Sequence, residues 1–248
     1  MKTDYRASHQ SERIGQMYDE ILYRHGSYDS FLWLSEQEIL RHEFADMRRY
    51  ASRISYLDFA CGTGRILAFA EQFADNAVGV DIADEMLERA RGIVKKSELV
   101  CADITREDPL GARRFDIITA FRFFLNAEPA LRQEAMAALA ARLRDDKSML
   151  IFNMHGNLWS HRIFTKIGLQ LKGKHLSAST RRAMELLAER QGLRVVRWYG
   201  FGVVPKVLYR IFGSVLMYRL DIILSYVPGM RYVSYDLVFV CRKGIVEG

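Results

Sequence analysis

The sequence predicts an α/β fold in which helices cover both faces of a mostly parallel sheet. Short apolar runs alternate along the chain with longer segments of helical apolar spacing, the order expected of consecutive βαβ units. Residues 115–121 form a nearly continuous apolar run, which is typical of a central parallel strand. Residues 56–67 read as a strand, a tight glycine turn and the beginning of a helix.

Length and composition indicate one ordered globular domain. The chain has 248 residues, of which 50% are hydrophobic and only four are proline, so a full core can form. Its three cysteines, Cys61, Cys101 and Cys241, are far apart, which argues against a disulfide framework and against a metal site. Residues 1–11 are polar and have no apolar signal core, so we expect a cytoplasmic protein.

Charge is distributed unevenly along the chain. Residues 1–154 contain 21 Lys and Arg against 25 Asp and Glu, whereas residues 155–248 contain 15 against 5. The basic C-terminal part could bind a phosphorylated substrate, a membrane surface or nucleic acid, or it could be an ordinary solvated face.

The glycine turn after the first strand is a candidate ligand site. Gly62 and Gly64 allow a sharp turn and a close approach of a ligand to the backbone. A dinucleotide-binding turn needs a third small residue where this chain has Leu67. Asp58 would repel a pyrophosphate but hold an ammonium group, which argues against the alternative of a nicotinamide-dependent oxidoreductase.

The turn resembles the first motif of the class I S-adenosylmethionine-dependent methyltransferases, an acidic residue followed by G-x-G-x-G. Asp58, Cys61, Gly62 and Gly64 match this pattern, and Ala60 replaces its first glycine. We expect that replacement to be mild, provided that residue 60 avoids positive φ. The resemblance implies S-adenosylmethionine as cofactor, S-adenosylhomocysteine as product, and a Rossmann-like sheet of seven strands whose last strand is antiparallel.

The resemblance also implies the cofactor's other contacts. Asp81, at the end of the second strand, is expected to accept the ribose hydroxyls, and Asp103, after the third, the adenine amino group. The remaining positions expected around the cofactor are Tyr18 in the N-terminal segment, Ile82, Met86, Ile104 and Phe121.

The other elements follow in order along the chain. Apolar residues at helical spacing over 12–50, interrupted at 26–27, predict two or three helices before the first strand. A further helix is predicted over 129–143. The predicted strands cover residues 56–59, 76–82, 98–101, 115–121, 149–154, 193–199 and 235–241.

Three polar residues are candidates for the acceptor side. Arg122 and Asn126 follow the fourth strand and His155 follows the fifth, at the edge where open α/β sheets bind ligands. His155 could act as general base towards a hydroxyl acceptor, because its ordinary pKa is near neutrality. Arg122 could equally form a structural salt bridge, and His155 could simply bind a backbone group.

The resulting organisation is a single domain over residues 1–248. It comprises a helical cap (1–51), a cofactor-binding half (52–155) and an acceptor-side half (156–248) with insertions at 156–177 and 200–234. The second insertion is apolar but interrupted by charges, too short for a membrane span, and predicted to form two short helices over the acceptor. Such a composition would also suit a membrane surface or an acceptor with an apolar tail.

The predicted function is O-methylation of a small molecule, a sugar or glycan, or a lipid-linked acceptor, and the basic C-terminal part favours an acceptor that carries an anionic group. Nucleic acid is an improbable partner, because residues 122–125 read Arg-Phe-Phe-Leu and lack the motifs of base methylation. Two alternatives remain open: N-methylation of a small amine or amino sugar, and a non-catalytic protein that binds a membrane or a partner. The oligomeric state is not predicted.

Overall fold

The computed structural model describes residues 26–163, 167 and 178–244 of the chain. Over these ranges a seven-stranded sheet has the strand order β3-β2-β1-β4-β5-β7-β6. β7 is antiparallel to both neighbours, β5 and β6, while the other pairs are parallel. The predicted fold class is therefore confirmed. Tyr18, the rest of the first 25 residues, and residues 164–166 and 168–177 of the first insertion lie outside the described residues.

Helices and strands alternate as the sequence predicts. The strands are β1 (Ser55–Phe59), β2 (Asn76–Asp81), β3 (Glu98–Cys101), β4 (Ile117–Ala120), β5 (Met149–Met154), β6 (Leu193–Phe201) and β7 (Asp236–Lys243). The α-helices of the described ranges are α1 (Tyr28–Met47), α2 (Arg65–Ala70), α3 (Asp84–Arg91), α4 (Pro129–Arg142), α5 (Arg181–Glu189), α6 (Lys206–Phe212) and α7 (Ser214–Ser225), and a 3₁₀ helix covers Met230–Val233.

The fourth strand is shorter than predicted at both ends. Phe115 makes only an isolated bridge to Leu143, and Asp116 accepts a hydrogen bond from the Ser55 backbone N–H (2.7 Å). At the other end, Arg122 has φ +61°, which turns the chain out of the sheet after Phe121. The apolar run in the sequence is therefore longer than the segment that pairs with neighbouring strands in the sheet.

Close contact between α2 and the sheet depends on a glycine in β2. A Cβ atom at Gly79 would lie 2.4 Å from Leu67 Cδ2 and 3.0 Å from Cys61 Sγ. Only a residue without a side chain lets the helix after the glycine turn approach β2 this closely. The turn is thus pressed against the strand ends where a ligand would bind.

Each face of the sheet has its own apolar core. One core contains residues of α4 and α5, and the other contains residues of α1, α2, α6 and α7. α1 begins at its N-cap Ser27, whose hydroxyl accepts a hydrogen bond from the Ser30 N–H (3.0 Å). α6 and α7 form the predicted helical insertion between β6 and β7, and no helix of the described ranges is long and apolar enough to cross a membrane.

Candidate active site

A cavity opens at the carboxyl ends of β1, β2, β3 and β4. Most of the residues predicted to bind the cofactor lie together around it, although they come from separate turns. The predicted residues that border this cavity are Asp58, Ala60, Cys61, Gly62, Asp81, Ile82, Met86, Asp103, Phe121 and Arg122.

The turn after β1 takes a left-handed conformation at three positions. Gly62 and Gly64 have φ +53° and +81°, and Ala60 has φ +54°. The expectation that residue 60 avoids positive φ was therefore wrong. The chain must leave β1 steeply to begin α2, and an L-residue with a Cβ pays about 1–2 kcal/mol for this conformation.

Asp58 is the most unusual group in the cavity. Its side chain is only 1% exposed, and its Oδ1 accepts a hydrogen bond from Thr119 Oγ1 (2.7 Å). Its Oδ2 is buried and has no hydrogen-bond partner. Burial raises the pKa of Asp58 to about 7, although the Thr119 hydroxyl, the Arg65 charge and the Leu67 backbone N–H favour its ionised form. An ammonium group entering the cavity would satisfy this oxygen.

Asp81 is held firmly at the end of β2. Its Oδ2 accepts from the Gly62 N–H (2.8 Å) and its Oδ1 from the Ala83 N–H (2.9 Å). Because a carboxylate oxygen can accept more than one hydrogen bond, both oxygens can also receive ligand hydroxyls. The carboxylate therefore joins the glycine turn to the cavity wall.

Asp103 occupies the corresponding position after β3. Its Oδ1 accepts from the backbone N–H (3.0 Å) and the hydroxyl (2.5 Å) of Thr105. These local bonds close a turn that fixes the carboxylate at the border of the cavity. Both Asp103 and Thr105 line the cavity.

Arg122 connects the cavity to a buried polar cluster that the sequence analysis did not predict. Its backbone N–H donates to Asn153 Oδ1 (2.6 Å), and its Nη2 lies 3.4 Å from Glu36 Oε1 and 4.0 Å from Asp236 Oδ2. Arg65 approaches the same Glu36 carboxylate (3.4 Å). We call Glu36, Arg65, Arg122, Asn153 and Asp236 the polar cluster.

The two acids of the polar cluster are fully buried. Glu36 and Asp236 each have 0% exposure. Burial raises the pKa of Asp236, and the Glu36 charge adds to the effect while Arg122 opposes it. The only sequence signal for this cluster was a glutamate on the inward face of an amphipathic helix. Its partners lie far along the chain.

His155 follows β5 as predicted but does not border the cavity. It is half-buried, and its Nδ1 is buried without a hydrogen-bond partner. Burial lowers the pKa of His155 well below its ordinary value, and the charges of Arg122 and Arg162 act in the same direction. The imidazole is therefore neutral at physiological pH, and the same burial and positive charges disfavour its protonated form.

Three other predicted residues also lie away from the cavity wall. Asn126 Nδ2 donates to the Arg122 carbonyl (2.7 Å) and so stabilises the turn after β4. Ile104 is buried in the apolar core. A Cβ at Gly64 would lie 2.8 Å from the Ala90 Cβ, so this glycine allows α2 and α3 to approach. Roles for these residues in binding remain predictions.

Several residues around the cavity were not predicted. Arg65, the first residue of α2, borders it and stacks over the Trp33 ring (4.1 Å from guanidinium carbon to ring centroid). Phe123 and Leu131 supply apolar wall from the segment after β4. Their side chains give no signal in the sequence, because apolar residues there are equally consistent with core packing.

Residues 57–146 match a protein-family model described as a methyltransferase domain. A search of curated protein sequences gave no match. The matched segment begins in β1 and contains Asp58, the glycine turn, Asp81 and Asp103.

Several solved methyltransferase structures have a similar fold. The magnesium protoporphyrin IX methyltransferase of Synechocystis PCC 6803, with bound SAH, has a TM-score of 0.66 at 11% identity and covers 97% of this chain and 100% of its own. The N-methyltransferase NodS of Bradyrhizobium japonicum WM9, also with SAH, has a TM-score of 0.63 at 11% identity, and the match covers 97% of this chain and 99% of NodS. A TehB-like methyltransferase of Corynebacterium glutamicum has a TM-score of 0.53 at 18% identity, and the match covers 81% of this chain and 86% of the other.

Proposed function

We propose that the chain, whose residues 57–146 match a methyltransferase-domain model, is a class I S-adenosylmethionine-dependent methyltransferase. It would methylate an oxygen of a small-molecule acceptor, a sugar, a glycan or a lipid-linked molecule. The observation that carries the cofactor assignment is Asp58. Its buried Oδ2 has no partner at the border of a cavity. The ammonium group of S-adenosylmethionine is the complementary donor.

The remaining cofactor contacts follow from the positions of the strand ends. Asp81 would accept the ribose hydroxyls and Asp103 the adenine amino group, while Ile82 and Met86 would contact the adenine ring. When bound, the cofactor supplies a sulfonium-linked methyl group that a nucleophile can displace. The protein has to orient the acceptor, an effect worth about 7–11 kcal/mol in well-aligned intramolecular systems.

His155 would receive the proton of a hydroxyl acceptor. Its lowered pKa keeps it neutral in the free protein but also makes it a weaker base than an ordinary histidine, so an anionic group of the acceptor that pairs with Arg122 would have to raise this pKa. Such a base typically adds about a hundred- to ten-thousandfold in rate. Arg122 would orient an anionic group of the acceptor, and Asn126 would support Arg122 through its carbonyl.

One observation favours an amine acceptor as the second candidate. Glu36 and Asp236 place two buried carboxyl groups beside Arg122, and their ionised forms would attract a cationic amine. Burial raises the pKa of Asp236, so this group keeps its proton to higher pH than an ordinary carboxyl does. An amine attacks in its neutral form, and it loses its proton to solvent at far lower pH than a hydroxyl does, so it needs less help from a base. N-methylation would therefore depend on the acids of the polar cluster more than on His155.

Calorimetric titration with S-adenosylmethionine and S-adenosylhomocysteine tests the cofactor assignment. We expect micromolar binding that falls at least about tenfold in Asp81→Asn, because each charge-assisted hydrogen bond is worth about 1.5–3 kcal/mol. Asp84→Asn is the matched control, since Asp84 does not border the cavity. Absence of binding to the folded protein would refute the assignment.

The acceptor class is tested by S-adenosylhomocysteine release with panels of hydroxyl and amine acceptors. For a hydroxyl acceptor, His155→Gln should lower turnover by about a hundredfold and leave cofactor affinity unchanged. If only amines are turned over, and His155→Gln does not change the rate, the proposal of O-methylation would be refuted and N-methylation supported.

A further inference from the structure

The helical insertion between β6 and β7 exposes an unusually apolar face. Surface helices normally turn their polar side to solvent. Here seven large apolar residues of α6, α7 and the position directly after α7 are each more than half exposed, and we call them the hairpin face. They are Val207, Ile211, Phe212, Val215, Leu216, Ile223 and Tyr226.

The hairpin face belongs to an anchored element. Asp221 is buried on the inner side of α7, where its carboxylate accepts hydrogen bonds from the N–H groups of Gly202 (2.9 Å) and Val204 (2.7 Å). Tyr209 and Met217 are buried in the apolar core. The inner side of the insertion thus carries its acidic group and its buried core residues, and the outer side carries the hairpin face.

The exposed charges of the insertion itself all have one sign. Lys206, Arg210, Arg219 and Arg231 are exposed, whereas Asp221, the only acid in residues 200–234, is buried. Lys206 pairs with Asp29 of α1 (3.2 Å), but Arg210 and Arg219 have no carboxylate within salt-bridge distance in the described part of the chain. An apolar surface that carries such cations is complementary to an apolar layer covered by anions.

We propose that the hairpin face docks on the surface of an anionic lipid membrane. α7 has 12 residues, too few to cross a bilayer, so the insertion would lie in the interface with its apolar residues among the acyl chains and its cations at the headgroups. A two-fold contact with a second copy is disfavoured, because it would set this set of cations against itself. The proposal does not depend on the identity of the methyl acceptor.

Co-sedimentation of the full-length protein with vesicles tests the proposal. One set contains phosphatidylcholine alone, and the other contains about one-third phosphatidylglycerol. We expect binding to the anionic vesicles, little binding to the neutral ones, and weakening as salt screens the charges.

Two double variants separate the apolar and charged contributions. Leu216→Ser/Ile223→Ser removes apolar surface without changing charge, and Arg210→Glu/Arg219→Glu reverses two charges. Each should lower the bound fraction at least about tenfold, since both contributions are needed for interfacial binding.

Matched controls change the same residue types away from the insertion. Ile93→Ser/Leu186→Ser and Arg190→Glu/Arg194→Glu alter exposed residues of other elements and should bind like the unmodified chain. Circular dichroism spectra should show that every variant is folded. The proposal would be overturned if the protein did not bind vesicles, or if variants and controls lost binding equally. It would also be overturned if the protein bound no vesicles but formed a dimer in solution that Leu216→Ser/Ile223→Ser dissociates.

Discussion

If Asp58 binds the ammonium group of the cofactor, affinity should depend on pH through this one carboxyl. Its pKa is raised to about 7, chiefly by burial. The ionised form attracts an ammonium group and the protonated form does not. Binding should therefore weaken as the pH falls through 7, in a range where the amino group of S-adenosylhomocysteine stays largely protonated.

The size of the effect follows from the fraction of ionised Asp58. With a pKa of about 7, about nine-tenths of the carboxyl is ionised at pH 8 and about one-tenth at pH 6. S-Adenosylhomocysteine should thus bind about tenfold more weakly at pH 6 than at pH 8, a difference of about 1.4 kcal/mol. In Asp58→Asn the affinity should be lower by at least about tenfold at pH 8 and nearly independent of pH.

Stability of the ligand-free protein gives a second readout with the opposite sign. The folded pKa of Asp58 lies above the unfolded value of 3.8, so the folded state binds more protons and loses stability as the pH rises between the two values. Asp58→Asn removes this loss. The substitution should therefore raise the free energy of unfolding, measured in urea, by about 2–3 kcal/mol more at pH 8 than at pH 5.

Calorimetry between pH 6 and 8 decides the affinity prediction. Asp84→Asn serves as control because this exposed aspartate does not border the cavity; it should retain the full pH dependence. A dependence that is flat in the unmodified chain, or equally steep in Asp58→Asn, would show that another group governs binding.

Three further substitutions test the packing around the site. Ala60→Gly should raise the free energy of unfolding by about 0.5–1 kcal/mol in urea titrations, because glycine adopts φ +54° without steric cost; a decrease would contradict the assigned strain. Gly79→Ala should cost about 1–3 kcal/mol through its contact with Leu67, and Leu67→Ala in the same chain should recover part of that cost; additive losses would refute the contact. Glu43→Gln should lower the free energy of unfolding by about 1–2 kcal/mol, because Arg197 loses its fully buried carboxylate but keeps Asp46 (2.8 Å); an unchanged free energy of unfolding would argue against this ion pair.

The arrangement of strands could be read from the sequence because each strand is a local apolar run. The predicted fifth strand over 149–154 coincides with β5, and the predicted ends of β2 and β3 differ by at most one residue. The carboxylates after these strands converge because the carboxyl ends of parallel strands meet at one sheet edge. This convergence made the candidate site predictable without knowledge of any contact.

The acceptor side was less predictable because its contacts join distant residues. Glu36 meets Asp236 and Asn153 only after α1 has packed across the strand ends, and nothing in the sequence near residue 36 indicates these partners. The left-handed conformation of Ala60 was also missed, since it follows from the path of the chain into α2. Local patterns specify elements, whereas tertiary packing specifies which polar groups meet.

Buried acids elsewhere in the fold show why Asp58 points to a ligand. Glu71 receives four hydrogen bonds from the segment after α3, and Glu43 receives three from β6 side chains. Asp58, by contrast, keeps one buried oxygen without a partner, and the same cavity is bordered by Ala60 and Arg122 in left-handed conformations. Each of these features costs stability, and a fold that satisfies its other acids has no structural need for them. We infer that the bound cofactor offsets these costs, so that ligand binding should stabilise this part of the chain most strongly.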